Sequence, residues 1–380
     1  MRDKWWEFSN GPRLCRARTM KTILVTASGG PSTLSFSRSL RDADPQRTRY
    51  RLIGTDCDAY NIHRSEVDVA YLCPKASDPA YIPFLVNLIK KEGIEFIHSQ
   101  PEIEAYTIGK HREVIQQTGC TLFMPAQQTI ELLRDKWESY RIWQQAGIKV
   151  PENVFLHSVD DLKVAFEKFG RDIWIRETVG AAGKGSLSRP SFETALNHLN
   201  QSKAWGHAVA AEHLGRETVT WQSIWHDGRL VVAQGRRRHS WAFGNRAQSG
   251  VTGLTGVGET VGDPALDELA VRCVRAADPN PNGIFSVDFT EDLKGVPNPT
   301  EINIAKFFTT HHFITRAGCN MPEILVQLAF GEYKGPYQVC NPCVSGMLWI
   351  RGIDINPVLV SKNDVEKKMA EYRVLVNPLH

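Results

Sequence analysis

Two spacings of apolar residues divide the chain. From residue 22 to about 125, short apolar runs (TILVT, RLIGTD, VAYLC, EFIHS and TLFMP) alternate with segments of helical period through Ser39-Leu40, over 81–91 and over 111–117. Strands buried on both faces and joined by helices give this alternation, so a doubly wound parallel sheet is predicted, with ligands at the carboxyl ends of its strands. The turn Ser28-Gly29-Gly30-Pro31-Ser32 lacks a full dinucleotide fingerprint. It reads as a tight strand-to-helix turn; contact of its amides or of Thr33 with a substrate anion is the functional alternative.

Further on the pattern becomes antiparallel. A helix opens at Asp135-Lys136 and stops at AGIKVPE. Lys136 lies in its first turn, where a cation gains nothing from the helix dipole, so it serves a ligand or is merely solvated. In DIWIRETVGAAGKGSLS a strand ends at Arg176 and runs into the small-residue loop 180–186, whose amides can approach phosphates. Arg176 and Lys184 would neutralise one triphosphate, although the spacing is not that of a Walker loop. The strand AVAAEHL ends at Glu212-His213-Leu214, and TVTWQSIW, the turn Asp227-Gly228 and LVVAQ form a hairpin. Residues 235–264, rich in Gly, Ser, Thr and Arg, read as a long lid or binding loop. A helix over 267–277, another around 323–330 and a tail strand in MLWIRGID complete the pattern.

The stretch 284–306, IFSVDFTEDLKGVPNPTEINIAK, carries the densest chemistry. Strand alternation puts Ser286 and Asp288 on one face and Phe285, Val287 and Phe289 on the other; Glu301 and Asn303 also share a face. A hairpin centred on Lys294-Gly295 would set Asp288 opposite Glu301 and Ser286 opposite Asn303. Like charges so placed repel unless the face is solvated or a cation lies between them, and hard oxygen donors suit Mg²⁺. A solvated edge hairpin with incidental acids is the other reading, since the proline-rich second half can break the register.

With 380 residues the chain suggests two or three lobes, and its 42% hydrophobic and 23% charged residues are those of an ordinary globular protein. A net charge of +3 gives no electrostatic case for a nucleic-acid or membrane partner. Eight scattered cysteines suggest a reduced, cytoplasmic protein, and Cys340-Asn-Pro-Cys343 lacks the second pair a zinc site needs. Residues 1–20 show no period and read as an extension outside the fold.

The order Asp135-Lys136, GIKVPE, IRETVGAAGKGS, AEHLGRE, and VDF with EIN thirteen positions on resembles the ATP-grasp superfamily, most closely its carbamoyl-phosphate-synthase-like and carboxylate–amine ligase members. The resemblance covers 21 to about 335. It implies an α/β and α+β chain: a Rossmann-like pre-ATP-grasp domain (21–125), a linker helix and N-terminal lobe (126–208), a C-terminal lobe (209–335) and a tail (336–380). The two β-rich lobes would clamp ATP. It further implies that Asp288, Glu301 and Asn303 bind Mg²⁺, as two ions, with Mn²⁺ an alternative. Lys136 and Arg176 would hold phosphates under the loop that includes Gly183, Lys184, Gly185 and Ser186. Backbone groups of Glu212, His213 and Leu214 would read adenine, and Glu217 the ribose.

Two departures stand out. Relatives continue Glu-x-Asn with Pro-Arg, whereas here Ile304-Ala305-Lys306 follows, so Lys306 would replace the substrate-facing arginine without its bidentate grip. Position 286 is serine where some amino-acid ligases carry arginine, which passes the anion-stabilising role to Arg237, Arg238 or Arg246. The implied reaction joins a small carboxylate to an amine through an acyl phosphate. A phosphotransferase or carbamoyl-phosphate-type enzyme, and a catalytically silent nucleotide-binding subunit, are the alternatives. Thr309, Thr310, His311 and His312 follow the metal strand and line the substrate pocket or merely pack. A homodimer would follow the family's habit.

Overall fold

A computed structural model describes residues 20–180, 183, 185–215, 217–246, 250–352 and 361–376. The sheet of the first domain is five-stranded and parallel: β1 (Lys21–Thr26), β2 (Tyr50–Asp56), β3 (Val69–Leu72), β4 (Phe96–His98) and β5 (Thr121–Leu122), in the order β3-β2-β1-β4-β5. Helices Pro31–Ala43 and Tyr81–Glu92 flank it. The single helix expected over 111–117 is instead the pair Glu102–Lys110 and Arg112–Gln116. The first of these buries Glu104, Ala105, Ile108 and Gly109, a face too poor in large apolar side chains to show a period.

Four strands form the second sheet, β6 (Asn153–Leu156), β7 (Ile173–Glu177), β8 (Leu187–Ser188) and β9 (Ala208–Glu212), in the order β6-β9-β7-β8. Helices Val159–Phe169 and Phe192–Ser202 pack on it around Leu162, Ile175 and Leu199. Because β9 pairs with both β6 and β7, the expected lobe boundary after residue 208 cuts a strand that belongs to this sheet.

The third sheet has seven strands: β10 (Thr218–His226), β11 (Arg229–Trp241), β12 (Thr255–Val261), β13 (Gly283–Glu291), β14 (Pro297–Ile304), β15 (Val339–Cys340) and β16 (Leu348–Ile350). Its order is β14-β13-β10-β11-β12-β16, with β15 beside β11, so the tail after 335 supplies two strands of this sheet. Within the stretch expected as a long loop, 235–264, residues 235–241 and 255–261 are paired as a hairpin. Polar residues fill both faces of GRRRHSW, so no apolar alternation marks the outer half of β11. Helix Lys362–Val376 returns to the first domain, where Lys368 Nζ donates to the Ala70 carbonyl of β3 at 2.6 Å.

The first domain and the third sheet share apolar cores: Phe36 and Phe96 pack in one cluster with Phe307 and Phe313, and Leu24 and Tyr81 in another with Trp221 and Phe285. Gln100 Nε2 donates to the Phe307 carbonyl at 2.6 Å and Ser35 Oγ to the Thr309 carbonyl at 3.0 Å. These contacts bring the carboxyl ends of β1 and β4 up to the β13–β14 hairpin.

Candidate active site

The hairpin has the expected pairing, Asp288 opposite Glu301 and Ser286 opposite Asn303. Its turn forms around Asp292, whose Oδ1 accepts from the amides of Lys294 and Val296, and Gly295 supplies the positive φ (+76°). Nearer the turn, Phe289 pairs with Pro299, so Thr300 is an extra residue in β14. That bulge restores the register around the acids. It also frees the Thr300 carbonyl, which Arg176 Nη2 takes at 2.6 Å. Phe285, Val287, Phe289, Ile302 and Ile304 enter the core, leaving Ser286, Asp288, Glu301 and Asn303 on the opposite face.

A charged row crosses four strands on that face: Glu301 beside Asp288, Asp288 beside Thr220, Thr220 beside Arg236. The Thr220 hydroxyl donates to Asp288 Oδ1 and accepts from Arg236 Nη2 at 2.6 Å. Asn303 Nδ2 donates to Asp288 Oδ2 at 2.9 Å. Lys136 Nζ stands 3.6 Å and Arg176 Nη1 3.9 Å from Glu301 Oε2. The two acids therefore differ. Burial pushes Asp288 above the usual carboxylate range, and Glu301 adds to this against the pull of Arg238. Burial would also raise Glu301, but Lys136, Arg176 and Lys306 outweigh it and hold its pKa down. Two carboxylates and an amide side chain on one half-buried face form a hard-oxygen donor set, and the charge of Asp288 is only partly compensated; the residues fit a divalent cation such as Mg²⁺.

Two cavities meet at these acids. One, of about 590 Å³, is bounded by Gly30, Ser32 and Thr33 at the start of helix Pro31–Ala43, by Lys136, Arg236 and Arg238, and by Ser286, Asn303, Lys306 and Thr309. The other, of about 530 Å³, is bounded by Tyr140, Trp174, Arg176, Glu212, His213 and Leu214. Asp288, Glu301, Arg238, Trp241 and Val251 line both. Gly183, at φ +68°, approaches the β11–β12 tip so closely that a Cβ there would lie 2.9 Å from the Val251 carbonyl oxygen. The small-residue loop and the hairpin tip thus touch at the rim.

Most of the residues singled out from sequence come together here. Lys136 is buried, its Nζ donating to the Gly180 carbonyl at 2.7 Å, and burial lowers its pKa. Arg176 also donates to the Tyr140 hydroxyl. Arg238 donates to Thr218 (3.0 Å) and Thr255 (3.1 Å), and its guanidinium lies 3.7 Å from the Trp241 ring centre. The amides of Glu212 and His213 are taken by the Glu152 and Asp172 carbonyls, which narrows what that segment offers an adenine. Gly185 and Ser186 turn back from the rim, Gly185 accepting from His198 Nε2 at 3.1 Å. Lys184 lies outside the described residues, as do 1–19.

Other candidates are not brought to the cavities. Arg246 is exposed beyond the end of β11, stacked near Phe243. Arg237 and Glu217 lie 4.0 Å apart on the far side of the sheet, because over 217–222 and 234–238 the odd-numbered positions face away from Asp288. His312 pairs with Asp42 at 2.9 Å, and His311 is buried against Phe307 with its Nδ1 donating to the Phe308 carbonyl at 2.9 Å. Thr220, Arg236 and Trp241 were missed. For Thr220 and Arg236 the one available signal was register: once Asp288 is placed on β13, the even positions of β10 and of β11 up to Arg238 follow, whereas Trp241 lies past irregularities that break this parity.

Comparison with solved structures supplies the fold. The biotin carboxylase domain dimer of Hydrogenobacter thermophilus 2-oxoglutarate carboxylase, in complex with MgADP, ADP and bicarbonate, is similar over 87% of this chain and 73% of its own, with a TM-score of 0.66 and 18% identity. The chain has the ATP-grasp fold. Staphylococcus aureus N5-carboxyaminoimidazole synthetase with ADP is similar over 85% and 81%, at TM-score 0.62 and 15% identity. An L-amino acid ligase from Bacillus licheniformis is similar over 82% and 76%, at 0.61 and 14%. At these identities the likeness is one of fold. The family model described as PylC-like, N-terminal domain matches residues 32–123, inside the first, doubly wound domain. No curated protein sequence matches the chain.

Proposed function

We propose that this protein is an ATP- and Mg²⁺-dependent ligase that activates a small carboxylate as an acyl phosphate and passes it to an amine. One observation carries the reading: the Asp288–Glu301 pair stands where two cavities meet, one suited to a nucleotide and one to an acid. Asp288, Glu301 and the amide oxygen of Asn303 would hold the metal, as one or two ions, or Mn²⁺ in its place. When bound, the ion would draw charge from the triphosphate oxygens.

The chain's own groups do the rest. Lys136 and Arg176, already beside Glu301, hold phosphate oxygens; the Glu212–Leu214 segment and Trp174 bound the adenine side. Arg238 and Lys306 face the acid, and the amides at the start of helix Pro31–Ala43 offer a second anion contact. The substrate carboxylate takes the terminal phosphoryl group and ADP leaves; the amine then attacks the acyl carbon and phosphate departs. The Gly183–Val251 contact at the rim would exclude water that would otherwise hydrolyse the acyl phosphate. The biotin carboxylase domain, the synthetase and the amino acid ligase named above support this class of chemistry by their fold. The test is ADP release measured across a panel of carboxylates, with and without a pool of amines. Release that needs one acid and rises with an amine is expected; release indifferent to every acid would contradict the proposal, and full turnover without amine would reduce it to phosphoryl transfer.

A further inference from the structure

Arg236 is only 1% exposed, yet among the described residues its guanidinium donates to hydroxyls alone: Nη1 to Thr255 (2.7 Å) and Thr310 (3.1 Å), Nη2 to Thr220 (2.6 Å). Its Nε has no partner. An arginine has five N–H donors, and these bonds use three. The two left over sit on Nε and Nη2, neighbouring nitrogens whose spacing matches the two oxygens of a carboxylate; Nε is enclosed, so an anion reaches it only with a shift of the side chains around it. The ring of Phe308, with its centre 4.5 Å from the guanidinium carbon, covers one face.

A buried cation without a counter-ion is strongly unfavourable, and an arginine does not escape by losing its proton. Burial does push this guanidinium's pKa down, with Arg238 adding to the effect. Asp288 acts on it across the Thr220 hydroxyl and through space, with no direct ion pair between them among the described residues, and a metal ion on Asp288 would withdraw that compensation. Arg238 differs, since it stacks on Trp241 and borders both cavities, whereas Arg236 borders only the one that contains Lys306.

We propose that Arg236 anchors the carboxylate of the acid substrate, gripping it side-on through Nε and Nη2 in the 590 Å³ cavity beside Asp288. This rests on the ligase reading for the identity of the acid, but the anion site itself does not require nucleotide.

The test compares the full chain with Arg236→Met by thermal unfolding in acetate against chloride at equal ionic strength, each with and without MgADP. Acetate, not chloride, raises the midpoint of the wild-type protein. The variant unfolds at the same or a higher temperature without acetate, binds MgADP within about twofold of wild type, and loses the acetate shift. An acetate shift retained in the variant, none in the wild type, or a lower variant midpoint without acetate overturns the assignment; the last would mean that the guanidinium serves to hold its three threonines. If Arg236→Met does not fold, Arg236→Lys replaces it: a reduced acetate shift supports the anchor and an undiminished one overturns it. Failure of the wild-type protein to bind MgADP would instead remove the nucleotide reading, leaving the nucleotide-free acetate arm to decide Arg236.

Discussion

Two hairpins of one sheet face the same cavity with opposite chemistry. The β13–β14 hairpin presents Asp288, Glu301 and Asn303, and the β11–β12 hairpin presents Arg236 and Arg238; Thr218 and Thr220 of β10 stand between them. Direct contact between the charges is limited. Glu301 leans on Lys136 and Arg176, which come from outside this sheet, while Asp288 meets Arg236 only through a hydroxyl. A sheet that kept its acids and guanidiniums in direct pairs would have nothing left for ligands. Separation by threonines leaves the acids available to a cation and the guanidiniums to anions.

Substitutions on the acidic hairpin should have the largest effect. Asp288→Asn and Glu301→Gln should each lower Mg²⁺-dependent ATP turnover by about a hundredfold or more, measured as steady-state ADP release. Their stabilities should separate. Burial raises the pKa of Asp288 while its basic neighbours lower that of Glu301, so Asp288→Asn should cost less unfolding free energy than Glu301→Gln. Glu301→Gln strips Lys136 and Arg176 of a partner and should cost about 1–2 kcal/mol in denaturant unfolding. Equal stabilities for the two variants would break the distinction drawn between the acids.

Arg238→Ala comes next, with turnover reduced about tenfold to a hundredfold and tryptophan fluorescence altered by loss of the Trp241 stack. Thr220→Val tests the spacer: it leaves Asp288 and Arg236 without their shared hydroxyl and should cost about 1–3 kcal/mol of stability.

Behind the cavity, acid should loosen the join between the first domain and the sheet. His98, against Phe36, and His311, against Phe307, are held down by burial to pKa values of about 4 and about 3 from an ordinary 6.5. A depressed pKa contributes stability that is full above 6.5 and lost as pH falls towards those values, so unfolding free energy should decline over that window. Stability constant from pH 7 to pH 4 would contradict the buried, neutral state of both rings. The smallest effect belongs to Glu217→Ala, on the far face of the sheet, which should leave ATP affinity within about twofold of wild type by calorimetry.

The same two hairpins show what could be read from residues alone. In IFSVDF and EINI, large apolar side chains alternate with polar ones, and that period places Asp288 opposite Glu301 without reference to any coordinates. In GRRRHSW both faces are polar, so no period marks a strand there and nothing in the residues separates Arg236 and Arg238, which line the cavity, from Arg237 and Arg246, which do not. The resemblance gives Glu217 to the ribose, but strand parity turns it outward beside Arg237. The parallel alternation of the first domain was legible because its strands are buried on both faces. Of the tail strands, β16 falls within the predicted MLWIRGID, whereas β15 is two residues long and takes its place only from the sheet it joins.

Calorimetric titration of a non-hydrolysable ATP analogue, with and without Mg²⁺, into the wild-type protein and Glu301→Gln bears most directly on the acid pair. The wild type should bind tightly only with Mg²⁺, and the variant should lose that dependence. Equal Mg²⁺-dependent affinity in both proteins would show that the metal and the triphosphate are held elsewhere.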